Sequence, residues 1–261
     1  TDKKWLRMTY DKDEFIFGLA IETEFGKVRF LTYLEYLRNL EALSYMNQNV
    51  LHIYYQYKNY YDKVFMPKEE KELILNSLEE LKTKKLFELV VGNDNYKESY
   101  EIIFRMVFSE NNFTEDNYKM LLDHLFSNEE SFMSIRKLIL EMQVMTETEV
   151  SPNPEIQKGI ERSRRVKQAN QKQGTTYSDI VSSIVVGTGI HPNEIANMSV
   201  LLVYSIYYRI GQFQNYSTTT LFATVAEKVQ IDSWNKHIDL FEEESNVIDK
   251  KEFDNKFGSM F

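Results

Sequence analysis

The chain has 261 residues, of which 43% are apolar and 27% charged, and its formal charge is −9. That is the composition of a globular chain long enough to bury its own core, not of a disordered one. Cysteine is absent, which excludes disulfide scaffolds, thiolate metal sites and cysteine catalysis. The acidic balance argues against a general affinity for nucleic acid or an anionic membrane. No stretch approaches the roughly 20 apolar residues of a membrane span. Thr1–Arg7 is polar with no apolar signal region behind it, so the default expectation is an intracellular protein.

In chain order, the first thirty residues read as strand. Phe15, Phe17, Leu19 and Ile21 alternate with their neighbours, Glu24-Phe25-Gly26-Lys27 reads as a tight turn, and Val28 and Phe30 resume the alternation. Period two around a Gly turn predicts a β-hairpin, which must pack on something larger because two strands alone are marginal. From Leu31 the period becomes helical, with Leu34, Leu37, Leu40 and Leu43 at three-residue steps. A Tyr-rich helix is predicted over Val50–Val64. Another begins at Pro67, with Glu69, Glu70 and Glu72 near its positive end and a stripe of Leu73, Ile74, Leu78 and Leu81. Gly92–Asn95 is a break.

Three amphipathic helices follow, marked by Tyr96–Phe108, Tyr118–Leu125 and Phe132–Met142. Thr114 is the expected cap of the second, and Ser127 with Glu130 fits a capping box before the third. Thr146–Pro154 is the best linker. The polar stretch Lys158–Lys172 then reads as an exposed helix or a mobile arm. Residues 176–230 are apolar and helical again, broken by Gly187, Gly189 and Pro192. The last twenty residues are acidic and are expected to fray.

The resulting expectation is a mainly α fold: a helical bundle with an N-terminal β-hairpin and a smaller C-terminal helical subdomain. Its parts are 1–145 for hairpin and bundle, 146–175 for linker and basic segment, 176–240 for the C-terminal helices and 241–261 for the acidic tail.

Candidate chemistry is sparse. His52, His124, His191 and His237 stand in no paired-ligand spacing, there is no Gly-x-Ser-x-Gly turn, and the acidic residues have no calcium-loop spacing. Gly187-Thr188-Gly189 lacks the third Gly and the preceding strand of a dinucleotide site. The expectation is a non-enzyme with no catalytic, cofactor-binding or metal-ligating residue. Tyr54, Tyr55, Tyr57, Tyr60 and Tyr61 fall within eight residues, so their rings point several ways around one helix. Some enter a core and others are left for an interface, where Tyr is enriched. The run Lys158, Arg162, Arg164, Arg165, Lys167 and Lys172 is opposed only by Glu161. It has no aromatic residue for base stacking, which favours a solvated or protein-binding segment. Asp179–Tyr208 reads as helix, Gly turn, helix. The second of these would offer His191, Asn193, Glu194 and Asn197 to DNA with no Arg or Lys, so ordinary helix packing is expected there.

Two segments carry a resemblance. One is Phe25-Gly26-Lys27-Val28-Arg29-Phe30-Leu31 followed by Tyr33-Leu34-Glu35-Tyr36-Leu37. The other runs from Tyr177 to Val225 and includes Thr188-Gly189-Ile190, Asn197-Met198, Tyr207-Tyr208-Arg209-Ile210 and Thr219-Thr220-Leu221-Phe222. Together they resemble the tail assembly chaperone group, late-operon proteins of tailed phages that infect Gram-positive bacteria. The resemblance implies a small, acidic, mostly helical protein that binds other tail proteins, the tape measure or tube protein, in the host cytoplasm or as part of the virion tail. A structural tail or baseplate component and a helix-turn-helix DNA-binding regulator are the alternatives. On this reading no cofactor, nucleic acid or membrane is involved, and a homo-oligomer is admitted. The interface candidates are Tyr54, Tyr57, Tyr61, Arg164, Arg165, Tyr207 and Tyr208. Ten Met add apolar surface that repacks easily.

Overall fold

In the computed structural model, which describes residues 11–170, 175–225 and 231–240 with the side chains at 167–170 excepted, the first described element is not a strand but a 3-10 helix over Lys12–Phe17. The Asp11 carboxylate accepts from the Asp13 amide at its start, and Gly18 ends it in the left-handed region. Phe15 turns inward and packs edge-on against Phe30, with ring centroids 5.3 Å apart, while Phe17 and Leu19 stay exposed. The apolar alternation that predicts a strand here therefore does not match the alternation of burial. Of the sequence-predicted features, the acidic tail 241–261, Lys172 and the Lys167 side chain lie outside the described residues.

The predicted hairpin is present but short. β1 (Ile21–Thr23) and β2 (Gly26–Val28) pair antiparallel, with Ile21 opposite Val28 and Thr23 opposite Gly26. Gly26 has φ +110°, a backbone state that side chains with a Cβ rarely adopt. An added Cβ there would also meet the Asn111 side chain. Asn111 fixes the hairpin to the body: its Oδ1 accepts from the Lys27 amide and its Nδ2 donates to the Lys27 carbonyl, both at 2.7 Å.

Everything else of regular structure among the described residues is helical, so the mainly α reading holds. The helical run predicted from Leu31 divides at Asn39, whose backbone leaves helical geometry, giving α1 (Tyr33–Arg38) and α2 (Leu40–Met46). Thr32 and Glu35 form a full capping box on α1. α3 (Val50–Lys63) is capped by the Asn49 side chain, and α4 (Lys68–Leu81) starts after Pro67. The predicted stripe on α4 is only partly inward: Leu78 is buried and Leu73 is exposed. A short α5 (Leu86–Val91) precedes α6 (Asp94–Val107), α7 (Glu115–Leu125) and α8 (Glu129–Met142). Thr114 caps α7 as expected. For α8 the cap is Asn128, which accepts from the Ser131 amide, not Ser127, whose hydroxyl donates to the His124 carbonyl.

The centre of the body is aromatic. Tyr100, Phe104, Phe126 and Phe132 meet from α6, from the turn after α7 and from α8, with ring centroids 4.9–6.2 Å apart. Such rings bury large apolar areas and add about 0.5–1.5 kcal/mol per well-placed pair. Beside them lies one buried cation. The Arg136 Nε donates to the Met46 carbonyl at 2.9 Å and to the Tyr100 hydroxyl at 3.1 Å, its Nη2 donates to the Gln48 carbonyl at 3.1 Å, and its Nη1 is paired with Glu147. Met46 closes α2 and Gln48 lies just before the α3 cap. Arg136 thus satisfies carbonyls that a helix end leaves without partners. The stretch predicted as a linker is tied to the same junction, since the Thr148 amide donates to the Asn47 carbonyl at 3.1 Å and Asn49 Nδ2 to the Thr148 carbonyl at 3.0 Å.

The basic stretch is helical, α9 (Pro154–Asn170). α10 (Tyr177–Thr188), α11 (Pro192–Asn197) and α12 (Val200–Ala223) complete the chain's helices among the described residues. They join the main core through Ile184, Ile195, Val200 and Val203. The Tyr33 amide donates to the Met198 carbonyl at 2.7 Å, and Thr32 forms an isolated bridge with Ser199.

Candidate protein-binding surfaces

Two groups of helices carry the predicted interface residues. On the first, α3 packs on α4 through a small core of Tyr54, Tyr55 and Leu78. The Tyr54 hydroxyl donates to Glu79 Oε1 at 2.5 Å and accepts from Lys58 Nζ at 3.2 Å, and Lys82 Nζ sits 4.1 Å from the centre of its ring. The hydrogen bond from Lys82, followed by that from Tyr54, holds the Glu79 carboxyl below its ordinary range. Tyr54, one of the interface candidates, is therefore used inside the fold, buried with Tyr55 and Leu78. Tyr61 is half-buried against the same small core. The rings left in solvent are Tyr57 and Tyr60, with Phe65 fully exposed just beyond the helix.

α9 lies alongside. Asn59 Nδ2 of α3 donates to Glu161 Oε1 at 3.3 Å, and the Gln157 side chain is buried, accepting from the Ser151 amide at 3.0 Å. Arg164 Nη2 donates to the Glu149 carbonyl at 2.9 Å and is thereby engaged in the fold. Burial, and then the Arg164 charge, push His52 below the usual imidazole value. Arg165 reaches Glu161 at 3.5 Å on an open surface, where such a pair contributes little and leaves the guanidinium accessible. The first group of helices thus leaves in solvent the rings of Tyr57, Tyr60 and Phe65 and, on α9, the Arg165 guanidinium.

The second group is α10–α12. Gly187 lets α12 approach closely, because a Cβ there would come within 2.8 Å of Ile210 Cδ1. Tyr207 is half-buried against the main core and Tyr208 is exposed, their rings 5.6 Å apart. Further exposed apolar side chains that the sequence did not single out as interface candidates are Val186 of α10 and, farther along α12, Phe213, Leu221 and Phe222. One groove of about 690 Å³ runs between Val186 and Ser182 of α10 and Tyr207, Tyr208, Ile210 and Gly211 of α12. A second, of about 480 Å³, shares Val186 and reaches Leu37, Tyr177 and Pro192. The signal that could have found this face is the near absence of charge: Asp179 and Arg209 are the only Asp, Glu, Lys or Arg in α10 and α12. On α11, His191 Nδ1 accepts from the Asn193 amide and Asn197 Nδ2 donates to the Asn193 carbonyl. Two of the side chains that a DNA-reading helix would extend are turned onto their own backbone.

A family profile described as the YomV N-terminal domain matches residues 10–152, and one described as the YomV second domain matches residues 167–239. The chain belongs to the YomV family. Among its relatives is the "SPbeta prophage-derived uncharacterized protein YomV" of Bacillus subtilis (strain 168), 31% identical over 250 residues that cover 95% of this chain and 98% of the relative. The phage origin inferred from sequence is borne out at that level. No solved structure matches the chain. Tyr54, Tyr57 and Tyr61 fall in the stretch matched by the YomV N-terminal domain, and Tyr207 and Tyr208 in that matched by the YomV second domain. Arg164 and Arg165 lie between the two. Among the described residues no helix is long and apolar enough to cross a membrane, and no group of three or more His, Asp or Glu is placed to hold a metal ion.

Proposed function

We propose that this protein is a non-enzymatic phage tail assembly protein, chaperone-like, that acts by binding other tail proteins through its helices. Membership in a family with a prophage-derived relative supports the phage setting. The observation that carries the binding role is the surface of α3 and α9. Tyr57 and Tyr60 of α3, Phe65 just after it and Arg165 of α9 stand in solvent, on elements whose inner sides are already satisfied by Tyr54, Gln157 and Arg164. Exposed aromatic rings and guanidinium groups are of the types that dominate binding energy at protein interfaces. The partner that fits is a tape measure or tube protein with apolar helical surface, held by several moderate contacts so that it can later be released.

The test is co-expression of the full chain with the tape measure or tube protein encoded in the same phage genome, followed by light-scattering mass of the purified product. A complex is expected. Alanine at Tyr57, Tyr60 and Phe65, all outside the core, is expected to weaken it at least tenfold while leaving the fold intact. Absence of a complex with either protein would refute the reading.

A further inference from the structure

The turn that ends α8 runs against the preference of its residues. The Met145 amide donates to the Leu140 carbonyl at 2.9 Å and the Val144 amide to the Glu141 carbonyl at 3.2 Å. That pair of bonds makes a Schellman turn, whose left-handed position ordinarily holds glycine. Here it holds Val144, at φ +54°. A β-branched residue is strained in that state, whereas Asn112, the other non-glycine residue with positive φ among the described residues, is of a type that tolerates it. Immediately before it the Gln143 side chain is 1% exposed, and neither its Oε1 nor its Nε2 has a hydrogen-bond partner among the described residues. A buried amide without partners opposes the conformation that buries it.

The segment after this turn is weakly seated. From Val144 to Val166 the one buried side chain is that of Gln157, which is polar. Ile156 and Val166 of α9 are exposed, and a hollow of about 440 Å³ lies between Val150 and Ile156, Gly159 and Ile160. Polar links tie the segment to the body at the α2–α3 junction: Glu147 to Arg136, the Thr148 amide to the Asn47 carbonyl, and Asn49 Nδ2 to the Thr148 carbonyl. Farther along, Asn59 of α3 donates to Glu161. Two other bonds run within the segment and join the strap 144–153 to α9, from Arg164 to the Glu149 carbonyl and from the Ser151 amide to Gln157. Strap and α9 are therefore one piece, and a piece that buries so little apolar surface opens at a free energy below that of global unfolding. Strain at its base favours the opening, because lifting the strap lets Val144 leave the left-handed region and brings the Gln143 amide to water.

We propose that the strap 144–153 and α9 form a latch, held shut at the α2–α3 junction against the strain at Val144, that opens as one piece while the helical body stays folded. Opening uncovers the side of the Tyr54, Tyr55 and Leu78 core on which Val150 packs. The latch is a property of the chain alone and does not rest on the tail-assembly reading.

The experiment is native-state hydrogen exchange of the full chain, alone, at a series of urea concentrations below the unfolding transition, read by mass spectrometry of its peptides. Peptides covering 147–166 are expected to share one shallow urea dependence and to be protected roughly a hundredfold less than those of α6 and α8. Glu147→Gln, at a half-exposed position, should speed their exchange about five- to thirtyfold. Val144→Gly should slow it about five- to thirtyfold relative to Val144→Ala, which removes the same packing but keeps a Cβ in the left-handed region. If the glycine variant loses helix by circular dichroism, Val144→Asn provides the same comparison. Exchange of 147–166 only together with the body would overturn the proposal. So would no protection of these peptides, separate urea dependences for the strap and α9, or equal exchange in the Val144→Gly and Val144→Ala variants. None of these results bears on whether the α3–α9 surface binds a tail protein.

Discussion

Removing the buried Arg136 guanidinium is expected to be among the most damaging single changes in the chain. Its side chain is 2% exposed, whereas that of its carboxylate partner Glu147 is 46% exposed. Arg136→Met fills similar length with an apolar chain but leaves the Met46 carbonyl, the Gln48 carbonyl and the Tyr100 hydroxyl without their donor. A buried acceptor left unsatisfied costs about 1–3 kcal/mol, and two of these three are backbone carbonyls that cannot turn away, so a loss of about 3–5 kcal/mol is expected. At about 2–4 °C per kcal/mol for a chain approaching this size, the melting temperature should fall by roughly 6–20 °C. Glu147→Gln keeps an oxygen acceptor at a half-exposed position but removes the countercharge of the buried guanidinium, so it should cost about 1–2 kcal/mol, less than the loss of Arg136. Urea unfolding followed by circular dichroism, with coincident fluorescence to check two-state behaviour, measures both. If Arg136→Met lies within about 1 kcal/mol of the parent, or if the two variants cost the same, the assignment of Arg136 as the fastener of the α2–α3 junction is wrong.

Other expected outcomes follow from local geometry. Gly26→Ala places a Cβ at φ +110° and against Asn111, so it should cost about 1–3 kcal/mol by urea unfolding, whereas Lys27→Ala, exposed on the same turn, should be near neutral. Glu35 accepts both guanidinium nitrogens of Arg29 at 2.8 Å and the Thr32 amide at 2.9 Å, and chiefly the Arg29 bond lowers its pKa. Its stabilising effect is therefore complete above the unfolded carboxylate value near 4.5 and is lost as pH falls through the lower folded value. Glu35→Gln should cost about 1–2 kcal/mol at pH 7 and flatten the acid limb of a stability–pH curve below about pH 4.5. Gly187→Leu should push α10 off Ile210 and cost about 1–3 kcal/mol in thermal unfolding.

The helices were legible where a short-range cap and a long period agreed. Thr114 before Tyr118–Leu125 is a case in which a few consecutive residues contain the whole signal, whereas the Thr176–Asp179 box before α10, equally local, was not singled out in the sequence. The Phe15–Ile21 segment shows the opposite. Its alternation is genuine, but an Asx cap at Asp11 and a left-handed Gly18 draw it into a 3-10 turn, and Phe30 selects Phe15 alone for burial. Among the five Tyr of α3, nothing local distinguishes Tyr54 from Tyr57. The difference is set by Glu79 on α4 and Lys82 at its C-terminal cap, more than twenty residues away. Arg136 was not singled out in the sequence because its acceptors are backbone carbonyls of another helix junction. The α10–α12 face could have been seen, since a long run with two charges that is not a membrane span leaves apolar side chains for a partner.

The most direct test of the binding role is the dissociation constant of the full chain for the tape measure or tube protein of the same phage, measured by titration calorimetry. The account predicts saturable binding that Tyr57→Ala with Tyr60→Ala weakens at least tenfold and that Tyr208→Ala leaves unchanged. Equal affinity for the parent and the Tyr57/Tyr60 variant, or no heat with either protein, would contradict it.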